Sequence, residues 1–139
     1  MIRSLTCVAA FAVPLTLPAC GGTSRTDVGG ASGVSARLPF DLYAQGRTVD
    51  AELGQGEECR SSRTPMRPRQ RIDGELYAYV DPPGFARVFE EGPARLTVTV
   101  RDGRRTIRVF ESDVDLAYNY PNGRDCDGDT WLAGRVELA

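Results

Sequence analysis

After residue 37, apolar residues alternate with polar ones along most of the chain. The alternation comes in short runs separated by Gly, Pro, Asn and Asp, and no stretch shows an apolar stripe of helical period. Period-two alternation is typical of strands with one buried face. The pattern therefore predicts an all-β fold, an antiparallel β-sandwich (immunoglobulin-like or similar) of about seven to eight short strands. The expected strand residues are Leu38, Phe40, Leu42, Val49, Ala51, Leu53, Leu76, Ala78, Val80, Val88, Leu96, Val98, Val100, Ile107, Val109, Val114, Leu116, Tyr118, Tyr120, Leu132, Val136 and Leu138.

A hairpin turn is indicated at Asp102-Gly103, because Asp-Gly between two alternating runs favours a two-residue type I′ turn. With these residues at the turn, Val98 faces Ile107 across the hairpin, and apolar side chains meet apolar ones. A slip of one residue would mix the two faces, which a half-buried sheet resists.

The only tryptophan of the chain, Trp131, is out of phase with Leu132. Gly134 indicates a bulge that re-aims the side chains around it. We expect Trp131 in the core, since large aromatic residues dominate cores. The alternative is a ring exposed for binding.

The amino terminus has a different pattern, an apolar run from Leu5 to Leu17 that follows Arg3. The run is shorter than the roughly 20 residues needed to span a bilayer, and it fits the apolar region of a signal peptide. The sequence Leu17-Pro18-Ala19-Cys20 resembles the lipobox of bacterial lipoproteins. That resemblance implies diacylglyceryl transfer to the Cys20 sulfur, cleavage before Cys20, and often acylation of the new amino group. The alternative is an ordinary signal peptide that leaves Cys20 as a thiol.

These features divide the chain into three parts. Residues 1–19 are the expected lipoprotein signal peptide, and residues 20–36, rich in Gly, Ser and Ala, are the expected flexible tether. Residues 37–139 then form one folded domain of common size. The lipobox resemblance implies an exported protein, anchored by lipid to the cell membrane or the outer membrane.

Two cysteines remain in the domain, Cys59 and Cys126. An exported protein meets an oxidising compartment, so we expect a disulfide between them. Closing so long a loop is worth about 4 kcal/mol in the chain-entropy model. A metal site built on the two cysteines lacks partners, because the chain has no histidine and structural zinc needs four N or S ligands.

Charge and missing motifs narrow the function classes. The net charge is −2 and the two signs are interspersed, unlike the basic footprint of a nucleic-acid binder. Without histidine there is no Ser-His or Cys-His pair, and no glycine-rich phosphate loop opens a helix. We therefore expect no enzyme, with a pair of carboxylates as the remaining catalytic alternative.

An acidic segment at 121–130 carries three aspartates at alternate positions, which resembles the start of a calcium loop. No Gly follows the third aspartate and no glutamate stands at the usual distance. The predicted disulfide would bring Glu57 and Glu58 nearby to complete a calcium cage. The more common alternative is a solvated acidic turn, and otherwise no cofactor is expected. The candidate ligands are Asp125, Asp127 and Asp129.

A basic segment at 60–71 holds five arginines, two prolines and no acid, and is interpreted as an irregular surface loop. Basic clusters gain about 1 kcal/mol per charge near an anionic membrane surface, so this loop is a candidate contact with head groups or envelope polymers. The alternative is an ordinary solvated loop. Its arginines are Arg60, Arg63, Arg67, Arg69 and Arg71.

Taken together, these features favour a noncatalytic, lipid-tethered domain that binds or supports something in the cell envelope. Its expected partners are the membrane, through the lipid, and an envelope protein or polymer. The alternatives are a calcium-binding module and an enzyme that uses carboxylates alone.

Overall fold

Strands make up most of the residues described by the computed structural model, which are 32–66, 71–72, 75–121, 123–128 and 131–139. Between the strands lie a 3-10 helix (Phe40–Leu42) and two short helices, α1 (Phe85–Val88) and α2 (Arg124–Asp127). The prediction of an all-β fold is confirmed. The strands are β1 (Gly33–Leu38), β2 (Thr48–Gln55), β3 (Glu58–Pro65), β4 (Arg71–Ile72), β5 (Glu75–Val80), β6 (Gly92–Asp102), β7 (Arg105–Asn119) and β8 (Trp131–Glu137).

The strands form one sheet in the order β3-β2-β6-β7-β8-β1-β5-β4, curled into a half-barrel. The predicted antiparallel sandwich is wrong, because the strands form a single curled sheet in which β1 pairs with β8 in parallel. Strands joined by a tight hairpin must run antiparallel, whereas β1 and β8 come from opposite ends of the domain. The sheet is therefore mixed.

Strand β7 belongs to two parts of the sheet. Its residues up to Leu116 pair with β6, whereas residues 117–119 pair with β8. We call β3, β2, β6 and β7 up to Leu116 the hairpin half. The remaining strands, with residues 117–119, are the mixed half. The change of partner along one long strand lets the sheet curl.

The core fills the concave side of this curl. Alternate residues of nearly every strand point inward, and Leu53, Val98 and Leu132 have no exposed surface. Burying such a side chain contributes roughly 1.5–3 kcal/mol. The two ends of the sheet approach each other, since the Ser62 hydroxyl of β3 donates a hydrogen bond to the Tyr79 carbonyl of β5 at 2.6 Å. No charged or polar side chain is buried among the described residues.

The start of the domain differs from the expected boundary. β1 begins at Gly33, and Val34 and Ala36 are buried with 2% and 1% of their surface exposed. Residues 33–36, assigned above to the tether, are therefore part of the sheet. Their Gly, Ser and Ala content concealed an alternation that Leu38 continues.

The β6–β7 hairpin has a different register from the predicted one. The turn lies at Gly103-Arg104, and a bulge opposite Val100 and Arg101 shifts the pairing by a further residue. Val98 therefore faces Phe110. The predicted register is wrong because the buried alternation of Phe110, Val114 and Leu116 decides which face of β7 turns inward.

Two apolar stretches expected as strand are helical turns. Phe40 and Leu42 lie in the 3-10 helix, and Val88 lies in α1. Gly84, with a φ of 73°, adopts the left-handed conformation that begins α1. Within the described ranges, no helix has the length and apolar character needed to cross a membrane.

Candidate binding groove

The two halves of the sheet meet where β7 pairs with β8. The last pair of this ladder is Ala117 with Ala133, after which β7 continues beside β6 and β8 beside β1. The next residues in this register are Asp115 and Arg135. A concavity of about 550 Å³ lies here, and we call it the fork groove. It is lined by Ser32, Gly33, Val34, Ser35, Tyr79, Asp81, Asp115, Ala133, Gly134 and Arg135.

Two glycines of the fork groove are required by close packing. A Cβ at Gly33, whose φ is 136°, would stand 2.7 Å from the Val80 carbonyl oxygen. A Cβ at Gly134 would stand 2.7 Å from the Val114 Cγ2 atom. Both distances are too short for any other residue without movement of the neighbours. Gly134 keeps a regular pairing with Val34, so the bulge expected at this glycine is not present.

An aromatic side chain forms one wall of the fork groove. Tyr79 exposes 40% of its surface, although large aromatic residues are usually covered. Its ring stacks on Tyr77 with the centroids 6.2 Å apart. The Tyr77 hydroxyl donates a hydrogen bond to the Glu75 carboxylate, and this bond raises the pKa of Tyr77 above its usual value. Both rings thus form a neutral platform on the outer face of β5.

The charged groups of the fork groove are not paired within the part of the chain that the structure describes. Asp81, Asp115 and Arg135 form no hydrogen bond or ion pair through their side chains with any residue that the structure describes. By contrast, Arg37 on the same outer face reaches Glu75 at 3.3 Å and Glu137 at 2.8 Å. The fork groove therefore combines a tyrosine ring with two carboxylates and one guanidinium that form no ion pair with the described residues.

A second concavity of about 530 Å³ shares Ser32 with the fork groove. Trp131 and Arg87 line it beside Phe85 of α1. Trp131 is half-buried, so the expectation of a core tryptophan is wrong. The neighbouring Leu132 takes the core position, because the alternation of β8 turns the two side chains to opposite faces.

A third concavity, of about 510 Å³, lies on the outer face of the hairpin half. Asp50 at its centre accepts two bonds from Arg63, at 2.6 and 3.1 Å, and one from Arg101 at 2.8 Å. The hydrogen bonds from Arg63 are the main reason that the pKa of Asp50 lies below its usual value. Partial burial raises this pKa, and the hydrogen bond from Arg101 lowers it further. The charges here neutralise one another.

The predicted basic loop is in part a strand. Residues up to Pro65 form β3, so Arg60 and Arg63 lie on a sheet edge and not on an irregular loop. Arg60 pairs with Glu58 at 3.2 Å, and Arg63 pairs with Asp50. The two arginines of this segment whose side chains the structure describes, Arg60 and Arg63, thus bind neighbouring acids. Arg67 and Arg69 lie outside the described residues, as does the side chain of Arg71 in β4.

The predicted calcium ligands are only partly within the described residues. Asp125 is exposed and lies in α2, a helical turn, and not in an extended loop. The side chain of Asp127 and the whole of Asp129 lie outside the description. Among the described side chains, no three acids or cysteines are grouped closely enough to hold a metal ion. Glu57 and Glu58 are exposed at the β2–β3 turn.

The predicted Cys59–Cys126 disulfide is not found. Cys59 is a free, exposed thiol on β3, and two strands, β2 and β6, separate β3 from β7, which precedes α2 and Cys126. A disulfide requires Cα atoms within about 7 Å of each other. The side chain of Cys126 and the lipidation residue Cys20, with the whole signal peptide, lie outside the described residues.

The residues of the fork groove were not singled out in the sequence. Tyr79 carried the clearest signal, since it occupies the polar face of an alternating strand. Asp81, Asp115 and Arg135 are ordinary surface charges in the sequence, and the neighbouring positions of β7, β8, β1 and β5 in the sheet bring them to one groove. Comparison of the chain with family models, with curated proteins and with solved structures found no match.

Proposed function

We propose that this chain is an exported bacterial lipoprotein, anchored through Cys20, whose half-barrel is a noncatalytic binding domain of the cell envelope. The observation that carries the anchor is the lipobox-like Leu17-Pro18-Ala19-Cys20 directly after the apolar run. A chain that carries two or three acyl groups is held durably at a membrane, whereas one acyl group binds only marginally.

The fork groove supports the binding role. It is concave, it exposes an aromatic ring, and its charged side chains are not engaged by the described protein. Small-molecule sites commonly combine such a surface with a few polar groups. Ser32 lines this groove and follows Cys20 by twelve residues, which span roughly 40 Å at most when fully extended. The anchor would therefore keep the groove near the membrane.

Mass spectrometry of the chain recovered from membranes tests the anchor. We expect a mature form that begins at Cys20 and carries the mass of its acyl groups. A Cys20→Ser variant, matched by Cys59→Ser as a control, should leave the membrane fraction while the control stays. An unprocessed chain recovered from the cytosol would contradict the proposal.

A carboxylate-only enzyme is the second candidate, favoured by one observation: Asp81 and Asp115 line the same groove. Glycosidases place two carboxyl groups about 5–10 Å apart across their substrate. Both aspartates are exposed here, whereas a carboxyl that donates a proton is usually set in an apolar environment. Incubation of the chain with chromogenic glycosides tests this candidate, and release of the chromophore that Asp81→Asn abolishes would support it.

A further inference from the structure

Opposite charges stand next to each other in the register of β7 and β8 without forming an ion pair. Extending the ladder from Ala117 and Ala133 by one step on the same face reaches Asp115 and Arg135. Such cross-strand partners normally attract each other. Both residues line the fork groove, where they form no ion pair with each other. The charges therefore face a space that a ligand can fill.

Several charges elsewhere on the outer face are paired. On the same face of β7, Arg95 bridges Glu111 at 3.0 Å and Asp113 at 3.8 Å. Asp115, two residues further along, has no such partner within the described chain. Arg95 thus pairs with the first two acids of this row, whereas Asp115 inside the groove is unpaired among the described residues.

We propose that the fork groove binds a short peptide through its free termini, with the ammonium group held by Asp81, Asp115 and the Tyr79 ring and the carboxylate held by Arg135. This inference rests on the proposed function, because it assigns the ligand class of the same groove. Charge complementarity carries it, since two carboxylates and one guanidinium match a ligand with both charges.

The chemistry of each contact is favourable. Ionised groups form hydrogen bonds roughly twice as strong as neutral ones, and arginine holds a carboxylate with two parallel bonds. A tyrosine ring attracts a cation placed over its face. Two acids stand against one base, so the ammonium group should contribute more than the carboxylate. A volume of about 550 Å³ lies in the range of small-molecule sites.

Titration of the full-length chain in detergent with glycine oligopeptides tests this proposal by NMR shifts and calorimetry. Di-, tri- and tetraglycine vary the distance between the two charges. N-acetyl-triglycine removes the ammonium group, and triglycine amide removes the carboxylate. We expect free triglycine to bind about tenfold more tightly than either blocked form. Equal affinity of all three forms would overturn the proposal.

Variants test the named side chains. Asp115→Asn should weaken triglycine binding about tenfold, whereas the matched Asp113→Asn, on the same face of β7 but outside the groove, should not change it. Arg135→Gln should weaken binding of triglycine but leave that of triglycine amide unchanged. The same loss in both aspartate variants would also contradict the proposal.

The remaining outcomes separate the ligand class from the binding role. If chitotriose, a neutral oligosaccharide, shifts the fork-groove signals and the peptides do not, the peptide assignment fails while the groove remains a binding site. If no probe shifts them, the binding role of the fork groove fails with the peptide assignment. The lipid anchor is judged separately, by the mass of the mature chain.

Discussion

The outer face of the hairpin half and the fork groove use charge in opposite ways. On the hairpin half, Asp50 holds Arg63 at 2.6 Å and Arg101 at 2.8 Å, so the charges satisfy one another. In the fork groove, Asp115 and Arg135 lie on neighbouring strands and remain unpaired among the described residues. The difference lies in the pairing: β2 pairs with β3 and β6 along most of its length, whereas the ladder of β7 and β8 ends at Ala117 and Ala133. Paired charges serve the fold, and unpaired ones are available to a ligand.

The largest effect on stability is expected at the glycine that lets β8 approach β7. Gly134→Ala places a methyl group 2.7 Å from Val114 Cγ2 and 3.0 Å from Leu116 Cδ2, both in the core. Overpacking of this kind costs about 1–3 kcal/mol. Chemical denaturation, read as the free energy of unfolding, measures the loss.

Gly54→Ala is the matched control, in a strand of the hairpin half. Its Cβ would stand 3.9 Å from the Glu58 carbonyl oxygen, an ordinary contact. Alanine also lowers the conformational entropy of the unfolded chain, so the change should be neutral or stabilising by up to about 1 kcal/mol. If both variants lost the same stability, the close approach of β7 and β8 would not be the cause.

The second effect concerns the paired charges of the hairpin half. Asp50→Asn removes a carboxylate whose side chain is only 24% exposed and which bonds two arginines. Since Arg63 is largely solvated, we expect a loss of about 1–2 kcal/mol at neutral pH, measured by denaturation.

The pH dependence of that loss has a definite sign. The pKa of Asp50 is lowered in the folded state, chiefly by the hydrogen bonds from Arg63. Its stabilisation is therefore complete above the unfolded value of about 3.9 and disappears as the pH falls through the folded value. The free energies of unfolding of the unchanged protein and of Asp50→Asn should differ at pH 7 and converge in acid. A difference that grew as the pH fell would contradict the assignment.

Much of the fold followed from alternation, because burying one face of a strand imposes period two on its side chains. Leu76, Ala78 and Val80 are buried as expected. β1 escaped recognition, since its small residues resemble a linker. Without β1 as a strand, the parallel pairing with β8 could not be foreseen.

The site was less predictable, because it depends on relations between distant segments. Asp81, Asp115 and Arg135 are separated along the chain, and the curl of the sheet brings them together. The arginines and cysteines were chosen as candidate site residues because of their residue type and number. Composition does not report pairing, and Arg60 and Arg63 are held by nearby acids.

A smaller effect on stability is expected in the fork groove. Asp115→Asn removes a carboxylate that has no partner in the described chain, so the free energy of unfolding should change by less than about 0.5 kcal/mol. Measured beside Asp50→Asn, this variant separates charges that stabilise the fold from charges that do not. A loss as large as that of Asp50→Asn would show that Asp115 has a structural partner and would remove the contrast.

The smallest effect concerns Cys59, the exposed thiol of the hairpin half. Its pKa is raised, first by partial desolvation and then by the carboxylate of Glu52 beside it. Since the thiolate is the reactive form, alkylation at neutral pH should be slower than for an ordinary exposed cysteine. Glu52→Gln should speed alkylation modestly, measured as the rate of iodoacetamide labelling in a Cys20→Ser background, whereas Glu111→Gln should not. An unchanged rate in Glu52→Gln would contradict the assignment of the Glu52 carboxylate as a cause of the raised pKa of Cys59.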